Sequence, residues 1–217
     1  MQGWRIGKFV GASVTSYRFI DTAHVYHNEK FIGPILKELV PKHNLTREDI
    51  FITSKMPTSH HGVKARDAFL CSLNDLQTDY IDLYLVHFPG AASVSVADHE
   101  RLKELRRQTW LEMEKLYDEG KVKALGVSNY MIKHLEEMDE YAKIKPVVNQ
   151  CEFHPHNTCP DLLNYCKKHE IHFQAYSSLG SAHSSAALFK EPLVVEMCKK
   201  YKCEAAQLLL AWAINQN

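Results

Sequence analysis

Short apolar or β-branched runs alternate with helical stretches along nearly the whole chain, and each run ends on a residue able to do chemistry. The runs are Arg18–Asp21, Ile50–Lys55, Ile81–His87, Ala124–Ser128, Val147–Gln150 and Ile171–Tyr176. Between them, apolar residues recur at helical spacing. Phe31, Ile32, Ile35, Leu36 and Leu39 form one such stripe. Ala65, Phe69, Leu73 and Leu76 form another, and Trp110, Met113 and Tyr117 a third. Later stripes are Ile132, Leu135, Met138 and Tyr141, then Leu193, Met197, Cys198 and Tyr201, then Ala205, Leu208, Leu209 and Trp212. All are read as core packing. Alternation of this kind predicts a parallel sheet covered by helices.

An open sheet and a closed barrel both satisfy that pattern. An open nucleotide-binding sheet carries a glycine-rich turn after its first strand. The chain has nine glycines, no G-x-G-x-x-G and no phosphate-binding P-loop. Six times, a capable side chain stands at a strand's carboxyl end: Asp21, Lys55, His87, Ser128 with Asn129, Gln150 with Glu152, and Tyr176. In a (β/α) barrel all these ends meet at one mouth, whereas an open sheet gathers its ligands at one switch point. The expectation is therefore an α/β parallel barrel. Only about six of the eight units are visible, so it is expected to be incomplete. Pro34 should kink the first helix or delay its start. Gly90 to Ala97 lack periodicity and read as a long loop after the third strand.

Composition narrows the function. Lys plus Arg and Asp plus Glu are 26 each, a net charge of zero, which argues against a nucleic-acid or anionic-membrane binder. The longest apolar run, Leu208–Ile214, is too short to span a bilayer, and the first residues do not form a signal peptide. The six cysteines include no C-x-x-C pair and read as free thiols. A cytoplasmic protein is expected. Cys151, His154, His156 and Cys159 lie close together, but Pro155 separates the histidines and the spacing matches no common zinc finger, so no metal is expected.

Six segments resemble the aldo-keto reductase superfamily, in that family's order. They are residues 17–29 (YRFIDTAHVYHNE), 50–55 (IFITSK), 72–87 (SLNDLQTDYIDLYLVH), 120–130 (GKVKALGVSNY), 145–155 (KPVVNQCEFHP) and 175–181 (AYSSLGS). The resemblance implies a TIM-type (β/α) barrel that reduces aldehydes or ketones with NADP(H). It divides the chain into an atypical segment 1–16 and a barrel domain 17–217 lacking the family's last strand and its carboxyl-terminal loop. It also implies a tetrad of Asp21, Tyr26, Lys55 and His87. Carbonyl reduction needs a hydride at carbon and a proton at oxygen. The resemblance makes Tyr26 the acid, with Lys55 lowering its pKa, Asp21 holding Lys55 by a salt bridge, and His87 orienting the substrate carbonyl. Taken singly, Asp21 could cap a turn, Tyr26 could be a loop aromatic, Lys55 a solvated charge and His87 a core histidine. Together, in the family's motifs, they read as a site.

By the same resemblance, Ser128, Asn129 and Gln150 would hydrogen-bond the nicotinamide carboxamide, and Tyr176 would stack on its ring. Ser177, Leu179 and Ser181 would lie along the cofactor pyrophosphate. Phe88 stands where many members have tryptophan and would face substrate beside His87. Glu152 and His154 match structural positions of a turn. The family's grip on the 2′-phosphate of NADPH maps beyond Asn217. Six units cannot close into that barrel, so weakened NADPH binding, little or no turnover by the six units alone and self-association through open sheet edges are expected, unless residues 1–16 supply a substitute strand. A second reading is a catalytically impaired reductase-fold protein that binds or regulates.

Overall fold

The computed structural model describes residues 17–181 and 185–216. The segment 1–16, expected to be atypical, lies outside the described residues. Six strands form one parallel sheet in chain order: β1 (Phe19–Asp21), β2 (Phe51–Met56), β3 (Ile81–Val86), β4 (Val122–Ser128), β5 (Val148–Glu152) and β6 (His172–Tyr176). The helices are α1 (Glu29–Lys42), α2 (Ala65–Asp75), α3 (His99–Asp118), α4 (Ile132–Met138), α5 (Pro160–Lys168), α6 (Ser185–Phe189), α7 (Pro192–Tyr201) and α8 (Ala205–Ile214).

Side chains alternate across each strand, so one parity faces the helices and the other the inside of the curl. Ile20, Ile52, Met56, Tyr84, Leu125, Val127, Cys151 and Phe173 face outward and join the main core with Phe69, Trp110, Met113 and Leu135 from the helices. Leu83, Leu85 and Val148 form a smaller inner cluster with Phe51 and Ala124. The sheet is strongly curled. Gln150 on β5 donates from Nε2 to Asp21 Oδ2 on β1 at 2.7 Å. Four strand spacings would hold these residues about 19 Å apart in a flat sheet. Only a barrel-like curl brings them into contact, and the expected fold is thus found as a six-stranded partial barrel.

Pro34 does not delay the start of the helix. α1 begins at Glu29 and runs through both Pro34 and Pro41. Tertiary contacts outweigh the lost backbone hydrogen bond. Glu29 is buried and accepts from Ser54 Oγ on β2 at 2.5 Å and from Ser72 Oγ on α2 at 2.9 Å. Burial pushes the Glu29 carboxyl up, opposed by those two hydroxyls. Gly33 lets α1 lie directly on the end of α2: a Cβ there would stand 2.5 Å from Asp75 O and 2.6 Å from Leu76 O. Both neighbours are backbone and cannot step aside. Gly33→Ala should therefore cost about 2–3 kcal/mol, overpacking strain exceeding the small helix-propensity gain. A lowered urea midpoint at unchanged slope would show it; an unchanged midpoint would mean that the α1–α2 contact is loose.

One helical stripe is displaced from its expected face. α7 buries Val194, while Leu193 and Tyr201 are exposed. Phe31 and Tyr117 also sit on solvent-facing surfaces. Residues 87–98, after β3, form the expected long loop and contain neither helix nor strand. Among the described residues, no helix is long and apolar enough to cross a membrane.

Candidate active site

The inward parity of the strands sends Asp21, Lys55, His87, Ser128, Gln150 and Tyr176 to one mouth at the carboxyl end of the sheet. Register fixes this: Lys55 pairs with Leu85, two residues before His87, and Ser128 pairs with Gln150, which pairs with Gln174. Lys55 is the anchor, with a side chain only 1% exposed. A buried ammonium must be matched by acceptors. Asp21 Oδ1 supplies one through a short contact, and Thr22 O another at 2.9 Å. Lys55 Nζ also lies 5.3 Å from the Tyr26 ring centroid. Tyr26 sits on a short 3-10 turn, His24–Tyr26, directly after β1. Its ring meets that of His87 edge-on, with centroids 5.8 Å apart and an interplanar angle of 83°. The four tetrad residues therefore stand together.

Their electrostatics differ in one respect from the sequence expectation. The Tyr26 phenol is pushed up, first by burial and then by the Asp21 carboxylate. The lowering expected from Lys55 is outweighed by burial, with the Asp21 carboxylate beside the ammonium adding to the rise. Burial pulls Lys55 down, opposed by Asp21. Burial, and then the Lys55 charge, pull His87 down. Near neutral pH the mouth thus presents a protonated phenol beside an uncharged imidazole, both able to donate to an oxygen.

The second group forms a continuous hydrogen-bonded belt. Gln150 Nε2 donates to Asp21 Oδ2 and, at 3.1 Å, to Gln174 Oε1. Ser128 Oγ donates to Gln150 O at 2.8 Å. Asn129 has φ +62°, a left-handed conformation that asparagine tolerates better than most residues. Its Nδ2 donates to His87 O at 2.9 Å and reaches Ser128 Oγ at 3.1 Å. Tyr176 Oη donates to Asn129 Oδ1 at 2.8 Å, which holds its ring over this belt. Carboxamide, hydroxyl and aromatic groups together are the set that a nicotinamide requires, and they fit one. Phe88 is half exposed beside His87. Ser177, Leu179 and Ser181 follow β6, with Gly180 N bonding back to Ser177 O at 2.7 Å. The Leu179 side chain packs toward Leu188, Val194 and Leu209, away from the tetrad.

Outside the mouth, His154 Nε2 lies 3.1 Å from Glu152 Oε1, and His156 Nε2 lies 2.9 Å from Glu191 Oε1. The two histidines thus engage different carboxylates. Among the described residues, no three His, Cys, Asp or Glu side chains are placed to share a metal ion. The sequence reading missed His61 and Arg106, two buried polar side chains behind the mouth loop. Only the double histidine at 60–61 could have flagged one of them, and histidine is abundant here.

The chain matches the aldo/keto reductase family over residues 8–217. It belongs to that family. It is 40% identical over 197 residues to the glyoxal reductase of Bacillus subtilis, a match covering 90% of this chain and 64% of that protein. It is also 40% identical over 214 residues to aldose reductase C of Dictyostelium discoideum, covering 92% and 66%. The chain thus spans about two thirds of the length of these curated relatives. Among solved structures it superposes on an aldo-keto reductase from a Medee basin deep-sea metagenome library with a TM-score of 0.83 and 37% identity, covering 95% of this chain and 71% of that one. The aldose reductase of Schistosoma japonicum gives a TM-score of 0.83 at 31% identity, covering 97% and 71%. The curled sheet is therefore the aldo-keto reductase barrel seen over six of its strands.

Proposed function

We propose that this aldo-keto reductase chain, as one barrel-type domain over residues 17–217, reduces small aldehydes or ketones to alcohols with NADP(H). The supporting observation is the buried Lys55 ammonium paired with Asp21, set beside Tyr26 with an uncharged His87 across from it. A reduced nicotinamide, when bound, would supply the hydride. Ser128, Asn129 and Gln150 would hold its carboxamide, Tyr176 would lie against its ring, and Ser177, Leu179 and Ser181 would border its pyrophosphate. His87 would donate to the substrate oxygen and aim the carbonyl, with Phe88 as the apolar wall beside it. As hydride reaches carbon, the carbonyl electron pair moves to oxygen, which takes the proton from Tyr26 Oη. Tyr26 is 49% exposed, so solvent can restore that proton. A raised phenol pKa keeps the acid loaded at neutral pH.

Relatives named as glyoxal and aldose reductases support small carbonyl substrates. An intact tetrad counts against a decayed, purely regulatory site. Free cysteines support a cytoplasmic setting. Exposed Phe19 on β1 and Ile214 on α8 support self-association along the sheet margins, which light scattering would detect. The test of function is to mix the protein with NADPH and glyoxal or an aromatic aldehyde. Expected are loss of reduced-nicotinamide absorbance and formation of the alcohol. Neither cofactor being consumed, while both bind, would overturn the reading.

A further inference from the structure

Three successive main-chain carbonyls after β3 are each held by a side chain from a different part of the molecule. His87 O accepts from Asn129 Nδ2 at 2.9 Å. Phe88 O lies 3.0 Å from His61 Nε2, on the loop after β2. Pro89 O accepts from Arg106 Nη1 of α3 at 3.2 Å. Buried carbonyls need partners, and one donor each from the local backbone would satisfy them. Here two buried side chains, His61 and Arg106, each 7% exposed, serve instead.

Both are themselves fixed. His61 Nδ1 lies 3.1 Å from Thr109 Oγ1, which accepts from Gly62 N at 2.7 Å and lies 2.7 Å from Leu105 O, so its one hydroxyl proton is shared between Leu105 O and His61 Nδ1. Phe88 O can only accept, so the proton of an uncharged His61 resides on Nε2. Burial pulls His61 down to about 4, which keeps it uncharged near neutrality. Arg106 forks onto Glu137 of α4 at 2.9 and 2.6 Å, a bidentate pair that leaves Nη1 aimed at the loop. Phe88 O and Pro89 O are therefore tied back toward the helix layer and His87 O to Asn129 at the mouth, while the His87 ring faces that of Tyr26.

We propose that His61 and Arg106 are positioning residues that set His87 against Tyr26 and Phe88 against the substrate, so governing carbonyl alignment. The inference rests on the reading of His87 as a carbonyl-orienting group. A displacement on the order of an ångström at such a group can cost about a hundredfold in rate. His61→Leu removes the donor. His61→Gln can restore it, since a glutamine amide N–H can take the place of Nε2. Arg106→Lys keeps the charge but loses the fork.

The test has two readouts. In turnover, His61→Leu and Arg106→Lys should lower kcat/KM for the aldehyde by about tenfold to a hundredfold, with nicotinamide affinity unchanged and His61→Gln recovering most of the loss. Independently of turnover, the His87 imidazole titration is followed by nitrogen-15 NMR in the folded proteins. It faces Tyr26, Lys55 and Asp21, and a shift in its position should change its pKa. It should stay depressed in the parent and in His61→Gln, and move toward the usual histidine value in His61→Leu and Arg106→Lys. An identical His87 titration in all four proteins would overturn the proposal even if no reduction occurred. A parent that reduces no carbonyl, yet shows the His87 shift, would sink the proposed function and leave the clamp standing.

Discussion

Tyr26→Phe should lower kcat by about a hundredfold to ten-thousandfold while leaving nicotinamide affinity unchanged. In the proposed mechanism the lost group is the proton donor, and a positioned acid contributes on that scale. Removing it affects the transition state far more than the ground state, so kcat should fall with little change in cofactor binding. The ring is half exposed and its hydroxyl is not part of the core, so the fold should be untouched. Steady-state kinetics with a fluorescence titration of NADPH would check both halves. A variant keeping half the parent rate would remove Tyr26 from the mechanism.

Lys55→Met should abolish turnover to a similar degree for a different reason. Lys55 is buried, but its partner Asp21 is 42% exposed and also accepts from Gln150. Replacing the ammonium by an apolar chain of similar length leaves no charge stranded in the core, so stability should be kept. Asp21 would then act on Tyr26 without its counter-charge, and the phenol pKa should rise further. The sign follows directly: a cation near a phenol favours phenolate, so its removal favours the protonated form. Residual activity should therefore persist to higher pH than in the parent. A pH–rate profile would show this, and an unchanged rate with an unchanged profile would make Lys55 a structural charge.

The fold was legible because the strands are short, β-branched and followed by residues whose types have a use at a barrel mouth. Asp21, Lys55 and His87 could be placed because each stands at the carboxyl end of its strand. Gln150 reaching Asp21 could not, since that contact depends on how sharply the sheet curls. Pro34 does not delay α1 because the buried ties of Glu29 and the close approach at Gly33 hold its first turns in place. α7 misled for another reason. It is a peripheral helix with apolar residues around most of its girth, so period alone did not single out Val194. His61 and Arg106 act through backbone atoms 27 and 17 residues away, and such ties leave no periodic trace in a sequence. The lowered phenol pKa was expected from Lys55 considered alone; burial of the phenol, and then the Asp21 carboxylate, push it the other way.

The account centres on hydride delivery to a carbonyl carbon at the Tyr26–Lys55–His87 mouth. The most direct measurement runs the reaction with NADPH deuterated at nicotinamide C4 and an unlabelled aldehyde, and locates the label in the product. The account predicts an alcohol with deuterium on its carbinol carbon, formed by the parent and almost absent with Tyr26→Phe. An alcohol free of deuterium, or one formed equally by Tyr26→Phe, would contradict it.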